Sequence, residues 1–156
     1  MAMTLKSAAF MHGGRIPKRQ SCEGADLSPP MSWQGAPPGT KSFALICEDP
    51  DAPMGTWHHW GIYNIPGTET SLDEGLAGSA ELGQMRQVVT DFDRPGYGGP
   101  CPPPGHGTHH YYFKLMALDV ARIELPLDAD CEQLKRAATP HVLEEAVLMG
   151  SYARGG

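Results

Sequence analysis

Three short stretches of the chain are apolar almost without interruption and rich in β-branched or aromatic residues: 42–48 (Ser-Phe-Ala-Leu-Ile-Cys-Glu), 57–65 (Trp-His-His-Trp-Gly-Ile-Tyr-Asn-Ile) and 109–118 (His-His-Tyr-Tyr-Phe-Lys-Leu-Met-Ala-Leu). Each is bounded by proline or glycine, the pattern of a buried β-strand, so these three are expected at the centre of the fold. Weaker strand patterns occupy 4–10, 31–34, 86–91 and 121–125. Helical spacing is confined to the tail. Apolar residues recur at that spacing from Asp130 to Ala137 and again from Pro140 to Met149. Asp128 or Asp130 can cap the first start, Pro140 suits a first helical turn, and Gly150 supplies a stop. The pattern predicts an all-β fold with one or two short peripheral helices near the C-terminal end.

Punctuation supports this reading. The 19 glycines and 15 prolines gather at 29–39, 50–55 and 95–107, cutting the chain into short strands and structured loops. At 156 residues, with no repeat and no linker, a single domain over 1–156 is expected. A chain of this size buries roughly 68–70% of the surface exposed when unfolded.

Charge narrows the partners. The net formal charge of −6 offers no basic field for phosphate backbones, so nucleic-acid binding is not expected and any bound anion must be held locally. No apolar run reaches signal-peptide or membrane-span length, which predicts a cytoplasmic protein without integral membrane contact. Cys22, Cys47, Cys101 and Cys131 lie far apart, with neither Cys-x-x-Cys pairs nor the density of a disulfide scaffold. Reduced thiols are therefore expected.

Three clusters carry candidate chemistry. Asp49-Pro50-Asp51-Ala52-Pro53 follows a strand, and its prolines fix the direction in which the carboxylates leave. In Trp57-His58-His59-Trp60, alternation puts Trp57, His59, Gly61, Tyr63 and Ile65 on one face and His58, Trp60, Ile62 and Asn64 on the other, so only one of the two histidines can face a given pocket. Gly61 beside His59 leaves room for something to approach the backbone. Finally, the loop Gly96-Tyr97-Gly98-Gly99-Pro100-Cys101-Pro102-Pro103-Pro104-Gly105-His106-Gly107 is stiff once folded and can turn N–H groups toward an anion. The strand that follows puts His109, Tyr111, Phe113 and Leu115 on one face.

Together with His109-His110-Tyr111-Tyr112-Phe113 and Ala117-Leu118-Asp119, these clusters resemble the two signature regions of the phosphatidylethanolamine-binding, or Raf-kinase-inhibitor-like, family. Gly14-Arg15-Ile16-Pro17, Leu27-Ser28-Pro29-Pro30-Met31-Ser32-Trp33, Pro38-Gly39-Thr40-Lys41-Ser42, Tyr63-Asn64-Ile65-Pro66 and His141-Val142-Leu143 are similar to its bacterial branch. The resemblance implies a two-sheet β-sandwich with an anion pocket at one end. It implies Asp49, His59, His109 and Tyr111 as pocket residues, with Pro53, Trp57, Pro103 and the Gly98-Gly99-Pro100-Cys101 backbone as wall. The ligand it implies is a small anion such as phosphate, acetate or a phosphoethanolamine-like group, with no cofactor and no metal. A homodimer with the pocket near its interface is also implied, and a protein-interaction module whose pocket is a ligand switch is a further reading that differs mainly in having a protein partner. His110 stands where many members carry arginine, and alternation puts it on the face away from the pocket.

Two enzyme readings compete with this binding module. A zinc site could be built from Cys101, His59 and His109, or Cys101 could act as a nucleophile beside His109. His58 and His59 cannot ligate one metal together, because adjacent strand side chains point apart. No Gly-x-Ser-x-Gly elbow is present, and a protein without catalytic activity is expected.

Overall fold

The computed structural model describes residues 2–154. In chain order its elements are β1 (Thr4–Lys6), β2 (Met31–Gln34), β3 (Ser42–Asp49), β4 (Trp57–Pro66), β5 (Ser71–Leu72), β6 (Glu81–Leu82), β7 (Met85–Gln87), β8 (His109–Leu118), the helix α1 (Cys131–Ala138) and β9 (Val142–Tyr152). Two sheets form: a small one in the order β1-β2-β5 and a large one in the order β6-β7-β4-β3-β8-β9. All their pairings are antiparallel.

Every residue of β3 is buried, which explains why its sequence is continuously apolar instead of alternating. One face of the large sheet meets the small sheet through Phe43, Leu45, Trp60, Phe113 and Leu148 against Leu5, Met31, Trp33 and Leu72. Its other face meets α1 through Ala44, Ile46, Tyr63, Val88 and Met116 against Cys131, Leu134 and Ala138. The helix starts as expected: Asp130 accepts from the Gln133 N–H while the Gln133 side chain accepts from the Asp130 N–H. Such reciprocal capping satisfies donors that a helix start leaves open.

The second helix expected over 140–149 is instead a strand. Pro140 lies in a short 3-10 turn (Thr139–His141), and β9 then pairs with β8 from Leu118↔Val142 to His109↔Tyr152. Its apolar residues satisfy helical spacing and alternation at once. The alternation wins because Ala146, Leu148, Gly150 and Tyr152 fill the core while the strand covers the otherwise open edge of β8. Gly150 is therefore a contact residue and no helix stop: a Cβ there would lie 2.6 Å from Ile16 and 2.7 Å from Phe10. Of the weaker strands, 31–34 forms as expected, 4–10 and 86–91 shorten to β1 and β7, and 121–125 is irregular.

The reduced state expected for the cysteines is overturned in part. Cys22 and Cys101 form a disulfide across 79 residues, while Cys47 and Cys131 are free and buried. Both bridged residues are exposed in loops, which wide spacing in the sequence had no means of pairing. Among the described residues no helix is long and apolar enough to cross a membrane.

Candidate ligand site

The end of β3 and the start of β8 meet at two Asp–His pairs. Asp49 Oδ2 lies 2.7 Å from His109 Nδ1, and its Oδ1 accepts from the Asp51 N–H at 2.8 Å. On the other face of β8, Asp51 Oδ2 accepts from the His110 N–H at 2.9 Å and lies 2.7 Å from His110 Nδ1. The hydrogen bond from His110 holds the Asp51 carboxyl below the usual carboxylate range. Consecutive histidines on opposite faces thus clamp the proline-stiffened turn from both sides. His110 meets the Asp51 carboxylate with both its backbone amide and its ring.

Asp49 and His109 are only 3% and 2% exposed, so each depends on the other for a hydrogen-bond partner. A buried acceptor of this kind holds the imidazole proton on Nδ1.

His59 reaches the same region by a route that alternation did not predict. The β3–β4 register runs Cys47↔Trp60 and then Glu48↔His58, leaving His59 as the extra residue of a bulge. The bulge turns His59 toward the small-sheet side with Trp60, whereas Gly61 and Tyr63 fall on the α1 side. The space at Gly61 therefore admits the helix and no ligand: a Cβ there would lie 2.4 Å from Val88, 3.3 Å from Cys131 and 3.4 Å from Leu134.

The His59 ring is fixed by its backbone neighbours. Nδ1 donates to the Gly98 carbonyl at 2.7 Å, and the Gly98 N–H returns a bond to the His59 carbonyl at 2.9 Å. Burial pushes the pKa of His59 below its ordinary value, against the pull of Gly98 and Asp49, so the ring is neutral near pH 7. A neutral ring whose Nδ1 donates carries a lone pair on Nε2. Phe92 and Tyr111 hold the imidazole edge-on, with ring centroids at 5.3 and 5.1 Å. Burial, and then the Asp49 charge, push the Tyr111 phenol up, so its hydroxyl stays protonated as a donor.

Around these groups lies a cavity of about 200 Å³ lined by Asp49, Ala52, Pro53, Trp57, His59, Phe92, Cys101, Pro102, Pro103, His109 and Tyr111. Asp49, His59, His109, Tyr111, Pro53, Trp57, Cys101 and Pro103 from the sequence reading meet here. Gly99 and Pro100 lie outside the lining. The Gly99 N–H donates to Asp26 at 2.8 Å and the Pro100 carbonyl accepts from the Cys22 N–H at 3.1 Å, so both anchor the loop. The Gly98 and Gly99 amides are committed within the protein, which removes them from the arc of anion donors expected of this loop.

Ala52, Phe92 and Pro102 were missed, although Pro102 and Ala52 neighbour chosen residues and Phe92 follows a strand pattern. His106, also missed, lies outside the lining but touches the lining residue His109, with Nδ1 2.6 Å from His109 Nε2. Neither lysine nor arginine lines the cavity, so it is not an electropositive cup while His59 is neutral.

The bridge to Cys22 removes the Cys101 thiolate from both the zinc and the nucleophile readings. Among the described residues, no group of three or more His, Cys, Asp or Glu side chains is disposed to hold a metal ion.

His58 faces the other way, as expected. Its Nδ1 pairs with Asp91 at 3.0 Å, and Lys135 bridges its Nε2 at 2.8 Å to Glu48 at 2.5 Å. Burial pushes the Glu48 carboxyl up, but hydrogen bonds from Lys114 and Lys135 outweigh it and hold the carboxyl below its usual range. This cluster joins the sheet to α1.

Comparison with known proteins is consistent along the whole chain. Residues 6–153 match the family described as phosphatidylethanolamine-binding protein. A UPF0098 protein of Methanothermobacter thermautotrophicus is 47% identical over 155 residues, covering 98% of this chain and 100% of its own length. The crystal structure of CT736 from Chlamydia trachomatis, described as a homolog of the phosphatidylethanolamine-binding protein, superposes with a TM-score of 0.88 at 39% identity, covering 98% of each chain. That of Escherichia coli YbcL, described as a member of the mammalian family of that name, superposes with a TM-score of 0.91 at 32% identity, covering 98% of this chain and 99% of its own.

Proposed function

Because the chain belongs to the phosphatidylethanolamine-binding protein family, we propose that it is a binding module without catalytic activity, holding a small anionic group in the cavity bounded by Asp49, His59, His109 and Tyr111. The ligand is of phosphate, acetate or phosphoethanolamine type.

The observation that carries this reading is the state of His59. Its Nδ1 is locked to Gly98, no hydrogen-bond partner meets its Nε2 among the described residues, and the Tyr111 ring packs against it with a hydroxyl that is kept protonated. An anion entering the cavity brings a proton onto Nε2, or carries its own, and so completes a charge-assisted bond in a setting that disfavours the charged ring alone. Asp49 has both oxygens committed and serves to orient His109.

Binding is accordingly weak, from few contacts, and coupled to proton uptake. Calorimetry with dimethyl phosphate, whose charge is constant between about pH 5 and about pH 8, isolates the histidine contribution. Affinity is expected to fall as pH rises, and His59→Ala is expected to abolish it. Absence of binding in the wild type, or undiminished binding in His59→Ala, contradicts the reading.

Assembly into a homodimer is proposed on the resemblance to the bacterial branch, and sedimentation at several concentrations measures it; modulation of a protein partner by ligand in the cavity is a separate reading, which pulldown with and without cavity mutations tests. A disulfide such as Cys22–Cys101 persists in oxidising compartments and, in hyperthermophiles, inside the cell as well. The proposed cytoplasmic location is compatible with it in a host of the latter kind, which alkylation at the moment of lysis tests.

A further inference from the structure

His109 has two ring nitrogens, and both are occupied. Nδ1 donates to Asp49, which leaves the lone pair on Nε2, and Nε2 lies 2.6 Å from His106 Nδ1. With the proton of His109 on Nδ1, the hydrogen between the two imidazoles belongs to His106, which donates it. A ligand oxygen seeking a hydrogen from His109 Nε2 finds there a lone pair and a neighbouring ring.

The arm that carries His106 is an exposed loop tip outside the core. Pro102, Pro103 and Pro104 stiffen one side of it, and the His106 N–H closes a turn onto the Pro103 carbonyl at 3.1 Å. The tip is Gly105-His106-Gly107, with φ of +74° and +93° at the two glycines and no atom within 4 Å of a Cβ built on either. His106 itself is exposed, whereas His109 is buried.

We propose that His106 is a latch on the ligand cavity: it occupies the hydrogen-bonding position of His109 that an anion needs, and it is released when His109 gains its second proton. Protonation of His109 on Nε2 turns the contact into two N–H groups facing each other, which cannot form a hydrogen bond. His106 then swings out on its glycine hinges, and Nε2–H becomes a donor to the anion.

The charged and titratable groups around this pair come from three strands. They are Asp49 at the end of β3 with Asp51 in the turn that follows, His59 from β4, and from β8 His110, which holds Asp51, and Tyr111, which stays neutral. Cys101 carries no charge because of its bridge, and the Arg154 guanidinium lies 4.0 Å from its sulfur.

This inference rests on the anion-binding reading of the cavity, and the test separates the two. Dimethyl phosphate is titrated into the full chain, wild type and His106→Ala, at about pH 7.5 and about pH 5.5, on either side of an ordinary imidazole pKa. His106→Ala is expected to bind about tenfold more tightly at the higher pH, the scale of one net hydrogen bond. Lower pH favours release of the latch, so the difference is expected to be smaller there. His106 is exposed, so the variant folds, and its melting temperature checks that. In nitrogen-detected NMR of the wild type, the probe is expected to move His109 Nε2 from a lone-pair to a protonated shift while His106 Nδ1 loses its bond. If the wild type binds and His106→Ala binds equally or more weakly at both pH values, the latch is overturned and the cavity reading stands. If neither protein binds at either pH, both readings fall.

Discussion

A carboxylate as deeply buried as Asp49 is stable only because two donors reach it, the His109 imidazole and the Asp51 amide. Removing the carboxylate leaves the buried His109 Nδ1–H without an acceptor, which costs about 1–3 kcal/mol. Asp49→Ala is therefore expected to lower the unfolding free energy by about that amount in urea titrations. Asp49→Asn, which keeps an acceptor for His109, is expected to cost less. Equal losses in the two variants contradict the hydrogen-bond account. At this scale the sequence was informative where simple alternation holds: His109 and Tyr111 stand two apart in a regular strand and share a face. It was uninformative at His59, whose direction depends on a bulge set by the register of β3 against β4. His59 does reach the cavity wall, but by the bulge and not by alternation, and the faces of Gly61 and Tyr63 were misassigned. His106 was invisible for another reason, because nothing in a glycine-flanked loop fixes where its side chain goes.

Among the elements, the three central strands were legible because both sheet faces are covered, which forces an unbroken apolar run. The helix α1 was legible from its cap. β9 was not, because a run with apolar residues at 142, 143, 146, 147, 148 and 149 fits both periods. Only the open edge of β8 decides between them. The loop 95–108 poses a similar problem: its stiffness was readable, its anchorage was not. It is tied to the 20–26 segment by the Cys22–Cys101 bridge, the Tyr97 hydroxyl donating to the Gln20 carbonyl at 2.7 Å, and the Gly99 and Cys22 amides. Closing a loop of 79 residues limits the unfolded chain, so reduction is expected to lower stability by about 2–4 kcal/mol. The other anchors should keep the loop in place, and phosphate-ester binding should survive in Cys22→Ser/Cys101→Ser. Loss of binding in that double variant at a temperature where it is folded contradicts this division of labour.

For the whole molecule, the two-sheet architecture places a neutral, buried imidazole at the wall of a small cavity in a chain of net charge −6. Neither the overall field nor a basic side chain attracts the ligand there, so protonation has to supply the charge. The sign of the linkage follows. A histidine whose folded-state pKa is depressed binds its proton less readily than in the unfolded chain. In the free protein His59 therefore removes stability as pH falls below the ordinary histidine value, and none above it. An anion that holds the protonated ring opposes that loss.

The most direct test is the melting temperature measured across about pH 5 to about pH 8, with and without saturating dimethyl phosphate, in wild type and His59→Ala. The account predicts a stabilisation by the probe that grows as pH falls and is absent from His59→Ala. A stabilisation independent of pH, or one that persists without the imidazole of residue 59, contradicts it.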